Sequence, residues 1–328
     1  MPYSGVVMAG ATIHDQVAIA KLGEELGYRD AWVTEVSGTD AVSVLAAAAM
    51  STERIRLATG IIASYVRSPY LMAMTANTLQ DLSDGRFVLG LGTSTAPIVS
   101  NWHGIRWEKP LRYTREYVEL FRKLTAGERV KHEGLFTIRG AQTRPGKTQT
   151  PVYLAALNPA MLELAGEIAD GVILNFPTTG YAKRAVEHIE AGIKKAGRQR
   201  SDVDIVAYLR TVVTDDFDPG ADMIRRELVT YFLAPVYQKV FAEDGYGHIT
   251  EAVMEAWGSG DRAGAVAKID DRTVDAHAVI GTVEECRAKA QALLDAGIDR
   301  AVLLPVVPAG DDRQARVMDT IRTLAPTR

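Results

Sequence analysis

Eight short apolar runs, separated by stretches of helical periodicity, fix the class of fold this chain can adopt. The runs are Gly5 to Ala9, Ala31 to Thr34, Ile55 to Thr59, Phe87 to Leu91, Val152 to Ala155, Val172 to Leu174, Ile205 to Val213 and Ala301 to Leu304. Strands alternating with helices along one chain build a parallel α/β sheet with crossover helices, and eight of them close a (β/α)8 TIM barrel. Between the runs, Tyr117, Leu120, Phe121 and Leu124 fall on one helical face, and Val283, Cys286, Ala290 and Leu293 do much the same. Each such helix has a single stripe to bury against the barrel wall. With 328 residues, 47% of them hydrophobic, the chain can fill a core of that size, and the reading is one barrel domain over 1–328.

Local punctuation agrees. Ser68-Pro69 and Asn158-Pro159 each place a capping side chain before a proline at the first helical position, and Thr282 with Glu285 forms a capping box. Gly27 and Gly297 stand at equivalent offsets before the runs at Ala31 and Ala301, where a left-handed turn closes a helix ahead of a strand. Two stretches depart from the pattern as insertions. Residues 127–150 read as a hairpin and loop with Gly134 in the turn. Residues 218–275, divided by Pro219, Pro235, Gly245, Gly247 and Gly258-Ser259-Gly260, read as a multi-helix excursion that covers the active face or makes a homodimer contact.

Composition narrows the function. A formal charge of -4 with both signs interleaved leaves no basic stripe for nucleic acid, and no apolar run of eighteen residues suggests a membrane span. The start of the chain lacks a basic region followed by an apolar stretch, so a cytoplasmic protein with a small-molecule substrate is expected. Cys286, the only cysteine, sits in a helical stretch and reads as a buried inert thiol. The six histidines show no ligand spacing, so no metal site is expected, and there is no Gly-x-Ser-x-Gly elbow.

Barrel enzymes carry their chemistry on the loops after the strands. Here those loops read Thr34-Glu35, Thr59-Gly60-Ile61, Gly92-Thr93-Ser94-Thr95, Ala155-Ala156-Leu157-Asn158, Asn175-Phe176-Pro177-Thr178-Thr179 and Leu304-Pro305. Hydroxyls, backbone amides and one carboxylate suit a flat heteroaromatic ring that brings its own chemistry. Asn158-Pro159-Ala160 opens a helix directly after a strand, where an anion or only water would sit. Thr178-Thr179-Gly180 is a second start of that kind. Gly90-Leu91-Gly92 lacks the third glycine of a dinucleotide loop, so these glycines leave room for a ring or a neighbouring strand. Glu35 points into the mouth or pairs with an arginine. His103 lines a pocket or bonds within its loop. Arg67 and Arg106 are solvated or meet an acidic coenzyme tail, as Lys109 also would.

The stretch RIRLATGIIASYVRSPYLMAMTANTLQDLSDGRFVLGLGTS, then WHGIRWEKPLRYTREYVELFRKLTAGERVKHEGLFTI, then PVYLAALNPAMLELAGEIADGVILN, resembles the luciferase-like oxidoreductases, and within them the branch that uses the deazaflavin coenzyme F420 and includes methylenetetrahydromethanopterin reductase. The likeness covers roughly residues 12 to 176 and 279 to 305; the segment from 205 to 275 adds nothing to it. It implies that Thr59, Gly60 and Ile61 form a bulge behind a central ring, with a cis peptide between Gly60 and Ile61. It also implies that Gly92, Thr93, Ser94 and Thr95 edge the ring, that Ala155, Ala156, Leu157, Asn158, Pro159 and Ala160 hold a phosphate, and that Glu35 is the acidic position after the second strand. Some members carry a glutamate as proton donor where Thr95 falls, and a hydroxyl cannot replace it as a general acid near neutral pH. The implied activity is hydride transfer between coenzyme F420 and a small organic substrate. An FMN-dependent luciferase-like monooxygenase is the alternative, and a flavin-binding barrel without turnover is a third reading.

Overall fold

The computed structural model describes residues 2–308, 310 and 312–326. Eight parallel strands close on themselves: β1 (Tyr3–Val7), β2 (Asp30–Val33), β3 (Arg56–Thr59), β4 (Phe87–Gly92), β5 (Val152–Ala155), β6 (Gly171–Asn175), β7 (Asp204–Val213) and β8 (Arg300–Pro305). The ring is sealed where β8 pairs with both β7 and β1. Each expected run is a strand, and the architecture is the (β/α)8 barrel with insertions that the periodicity predicts. Around it lie α1 (Ile13–Glu25), α2 (Ala41–Ala49), α3 (Pro69–Leu82), α4 (Pro110–Thr125), α5 (Pro159–Ile168) and α6 (Thr179–Lys195). The excursion contains α7 (Phe217–Phe232), α8 (Pro235–Phe241), α9 (Gly247–Gly258), α10 (Arg262–Ala267) and α11 (Asp271–His277), and α12 (Val283–Asp295) and α13 (Arg313–Thr323) complete the shell. The Ser68 and Thr282 caps form as read, whereas Asn158 makes no side-chain cap. No helix among the described residues is long and apolar enough to cross a membrane.

The hairpin insertion pairs Val130–Glu133 with Thr137–Ala141. Glu116 of α4 secures it, accepting from the Phe136 N–H at 2.9 Å and meeting the His132 ring at 2.7 Å. Burial alone would raise the Glu116 carboxyl, but these two donors outweigh it and hold it below the ordinary range. At Gly134 a side chain would displace the Glu116 carboxylate and the His132 ring from their places.

Inward residues of alternate strand positions, among them Trp32, Val88, Tyr153, Val206 and Tyr208, plug the barrel. Below them, at the strand starts, a polar cluster closes the bottom. Asp30, fully buried, pairs with Arg56 at 2.5 Å and with Arg300, and Arg300 also pairs with Asp204, whose carboxylate accepts from the Tyr153 hydroxyl at 2.6 Å. Removing one partner of such a cluster leaves a charge with too little compensation. Arg300→Met is therefore expected to lower the unfolding free energy by about 3 kcal/mol or more in urea titration, and a loss under about 1 kcal/mol would contradict this account of the barrel floor.

At the opposite end the β3–β4 ladder is interrupted. The Gly60–Ile61 peptide is cis, as the family likeness implies, and Ile62–Ala63 then resumes pairing with Leu91–Gly92. In the gap the Thr59 hydroxyl donates to the Gly90 carbonyl and accepts from the Gly90 N–H, each at 2.8 Å. Gly60 has no room for a β-carbon against the Tyr208 hydroxyl, and Gly90 has none against the Thr59 carbonyl. Thr59→Val keeps the shape but strands two buried backbone groups. Its expected cost is about 2 to 4 kcal/mol by the same titration, and a variant as stable as the parent would show that the hydroxyl bridge is dispensable.

Candidate active site

The strand ends meet at the mouth, above Tyr208 and the bulge. On one rim β4 runs into Thr93, Ser94 and Thr95, all half-buried. Ser94 takes the left-handed backbone (φ 54°), which turns the chain sharply off the strand. The Trp107 indole N–H donates to the Thr93 carbonyl at 3.0 Å and fixes this loop. Behind it Tyr65 stacks on Tyr113 with ring centres 3.9 Å apart, and the Tyr65 hydroxyl donates to the Glu108 carbonyl at 2.6 Å. Gly92 lies against Ile61, so the bulge and the rim share one surface.

Next to this rim β5 delivers Ala155, Ala156 and Leu157 to the start of α5. Asn158 stands at the N-cap with its side chain unused and Pro159 follows at the first helical position, so the N–H of Ala160 has no intrahelical partner. The helix dipole and these open amides suit an anion. Between rim and helix, a cavity of about 10 Å³ is lined by Ser64, Gly92, Thr93, Thr114, Ala155 and Met161, and the Ser64 and Thr114 hydroxyls are buried there without partners. Neither hydroxyl was singled out from sequence; only the placement of the turn after Ile62–Ala63 against α4 brings them together.

Glu35 follows β2 as expected, and its environment is now defined. Both carboxylate oxygens meet Arg67, one of them also accepts the Ala41 N–H at 2.9 Å, and Arg67 in turn pairs with Asp40 at 2.6 Å. Burial alone would raise the Asp40 carboxyl, but the Ser43 N–H and Arg67 hold it below the ordinary range. Arg67 is thus part of a half-buried ion cluster rather than a solvated residue, whereas Arg106 is exposed beside Glu108. His103 and Trp102 are exposed on the loop that follows the β4 rim.

Thr178 caps the start of α6, accepting the Tyr181 N–H at 2.9 Å, and Thr179 is the first residue of the helix. The Thr178 hydroxyl donates to Asp244 of the excursion, which also pairs with Arg184. A cavity of about 350 Å³ adjoins these residues, but Leu209 lines it, and Leu209 faces outward from β7 while Tyr208 faces inward. That cavity lies outside the barrel wall, beside the loop after β6. The far rim contains a cluster that sequence reading missed. Arg210 on β7 donates to Glu227 and Tyr231 of α7 and to Asn175 at the end of β6. A lone arginine inside an apolar strand run was the available signal. Among the described residues no group of three or more His, Cys, Asp or Glu is placed to hold a metal.

Residues 3–300 match the luciferase-like monooxygenase family. The 5,10-methylenetetrahydromethanopterin reductase of Archaeoglobus fulgidus is 33% identical over 306 residues, covering 90% of each chain. That of Methanolobus tindarius is 33% identical over 295 residues, covering 86% of this chain and 87% of its own. The structure of the coenzyme F420 dependent tetrahydromethanopterin reductase of Methanopyrus kandleri superposes with a TM-score of 0.83 at 25% identity, covering 96% of each chain. A barrel sealed by eight strands, a bulge after the third and an open helix start beside the fourth and fifth belong together in this chain as a member of the luciferase-like monooxygenase family, in the branch of the methylenetetrahydromethanopterin reductases.

Proposed function

We propose that the chain transfers a hydride between the deazaflavin coenzyme F420 and a small organic substrate bearing an unsaturated or carbonyl-type acceptor, in the mouth of the barrel. The observation that carries this reading is the meeting, on one rim, of the Gly60–Ile61 bulge, the Gly92–Thr95 strand end and the open start of α5. A flat ring with a phosphate fits that arrangement. Gly92 leaves the surface over Ile61 without a side chain of its own, and the first-turn amide of α5 offers an anion a donor. The unpartnered hydroxyls of Ser64 and Thr114 lie buried between the two.

In this reading Thr59, Gly60 and Ile61 back the ring, Gly92, Thr93 and Ser94 edge it, and Ala155 to Ala160 take the phosphate. The Thr178 hydroxyl is engaged by Asp244, and this reading gives Thr178 and Thr179 no part in holding the phosphate. Bound, the coenzyme supplies hydride chemistry at C5 of its ring. With the coenzyme bound, the amides and hydroxyls of residues 92–95 would be the fixed donors at the ring edge that stabilise negative charge without reorganising. Thr95 cannot deliver a proton as an acid would. Glu35, engaged by Arg67 and the Ala41 N–H, acts by fixing the loop after β2.

Two outcomes test this. Ala160→Asp puts a negative charge in the first turn of α5 and is expected to weaken coenzyme binding at least tenfold, about 1.4 kcal/mol; unchanged affinity in the folded variant would move the phosphate elsewhere. The choice of ring is tested by titrating the apoprotein with F420 and with FMN at low and moderate salt. The acidic tail of the deazaflavin should find Arg106 and Lys109, and its binding should weaken as salt screens them. Tighter binding of FMN, with oxygen consumed during turnover, would make the chain a monooxygenase.

A further inference from the structure

On β7, Val206 and Tyr208 point into the barrel, and strand alternation places Arg210 in the next layer up. Tyr208 lies against Gly60 of the bulge. Arg210 is therefore one layer above Tyr208, across the mouth from the bulge, and it is 4% exposed. Its guanidinium is engaged on every side. Nε donates to Glu227 at 2.7 Å, one terminal nitrogen donates to Asn175 at 2.5 Å, and the other donates to the Tyr231 hydroxyl at 3.1 Å. Its flat face covers the Phe176 ring at 3.6 Å. Phe176 has a left-handed backbone (φ 52°), a conformation that a bulky residue keeps only where its surroundings enforce it. Tyr231 packs edge-on against Phe176, with ring centres 4.6 Å apart, and Asn175 donates its remaining amide to the Tyr237 hydroxyl at 2.7 Å.

One side chain thus ties the ends of β6 and β7 to α7 and, through Asn175, to α8. We propose that Arg210 is a positioning residue that sets the substrate-side wall of the mouth, opposite the bulge and the phosphate site. The proposal rests on the reading of the mouth as the coenzyme site. The planar fork is what the geometry uses: three partners in three directions and an aromatic ring beneath, which a lysine ammonium cannot serve together.

The test uses the full chain loaded with F420 and measures quenching of the bound ring's fluorescence by iodide. Arg210→Met is expected to raise the quenching constant about threefold or more as α7 and α8 loosen, while coenzyme affinity, set on the opposite rim, stays within about twofold. Arg210→Lys is expected to behave like the methionine variant, and Tyr231→Phe, which removes one contact, to fall between it and the parent. Quenching equal to the parent in the methionine variant overturns the proposal. So does full protection in the lysine variant, which would reduce the role to charge. A readout without coenzyme accompanies these: in the unliganded chain, Arg210→Met should speed amide exchange across 217–241 and leave α1 to α3 unchanged. If the parent binds neither F420 nor FMN, the reading of the mouth fails. The exchange experiment still decides on the tether, with equal exchange rejecting it.

Discussion

At the barrel mouth the end of β3 lies tight against β4, and much of the site depends on that contact. Gly90 sits against the Thr59 carbonyl, Gly60 against the Tyr208 hydroxyl and Gly92 against Ile61, and a side chain at Gly90 would push the β3 and β4 backbones apart. The approach is tolerable because the Thr59 hydroxyl satisfies both polar groups of Gly90 across the interruption. With the bulge held there, Ile61 and the β4 rim form one surface, and Ala155 lies beside them at the start of the α5 loop.

The two ends of the barrel divide the labour. Charges at the strand starts, Asp30, Arg56, Asp204 and Arg300, are buried and mutually paired, and they hold the floor. At the mouth the fixed charges serve to dock the excursion and loops. Asp244 joins the excursion to Thr178 and Arg184, Arg210 ties α7 to β6 and β7, and Arg67 joins Glu35 to Asp40. With those groups occupied, the α5 start stands out as a helix N-terminus at the mouth whose capping side chain is unused. The proposed phosphate site rests on that difference between α5 and α6: Thr178 caps its own helix and is held by Asp244, whereas the Asn158 side chain makes no cap.

This difference shows what a sequence can and cannot carry. The eight strands were legible because each apolar run is bounded by glycine, proline or capping residues, and such signals are local. The bulge was legible through likeness of the Thr59-Gly60-Ile61 segment to a family. The occupation of Thr178 by Asp244, 66 residues away, is a tertiary contact with no local trace. The same holds for the Arg67 pairing with Glu35, 32 residues apart, for which sequence offered only the alternative. Arg210 was passed over because it lies within a strand run, and its meaning appears only when α7 closes on it.

The central claim is that a deazaflavin ring rests on the Gly60–Ile61 bulge with its phosphate at the start of α5. A crystal structure of the chain with F420 bound tests this most directly. The account predicts ring density over Ile61 and Gly92 and phosphate density within hydrogen-bonding distance of the Ala160 N–H. Coenzyme density in the cavity beside Thr178 and Lys289, or a phosphate away from α5, would contradict it.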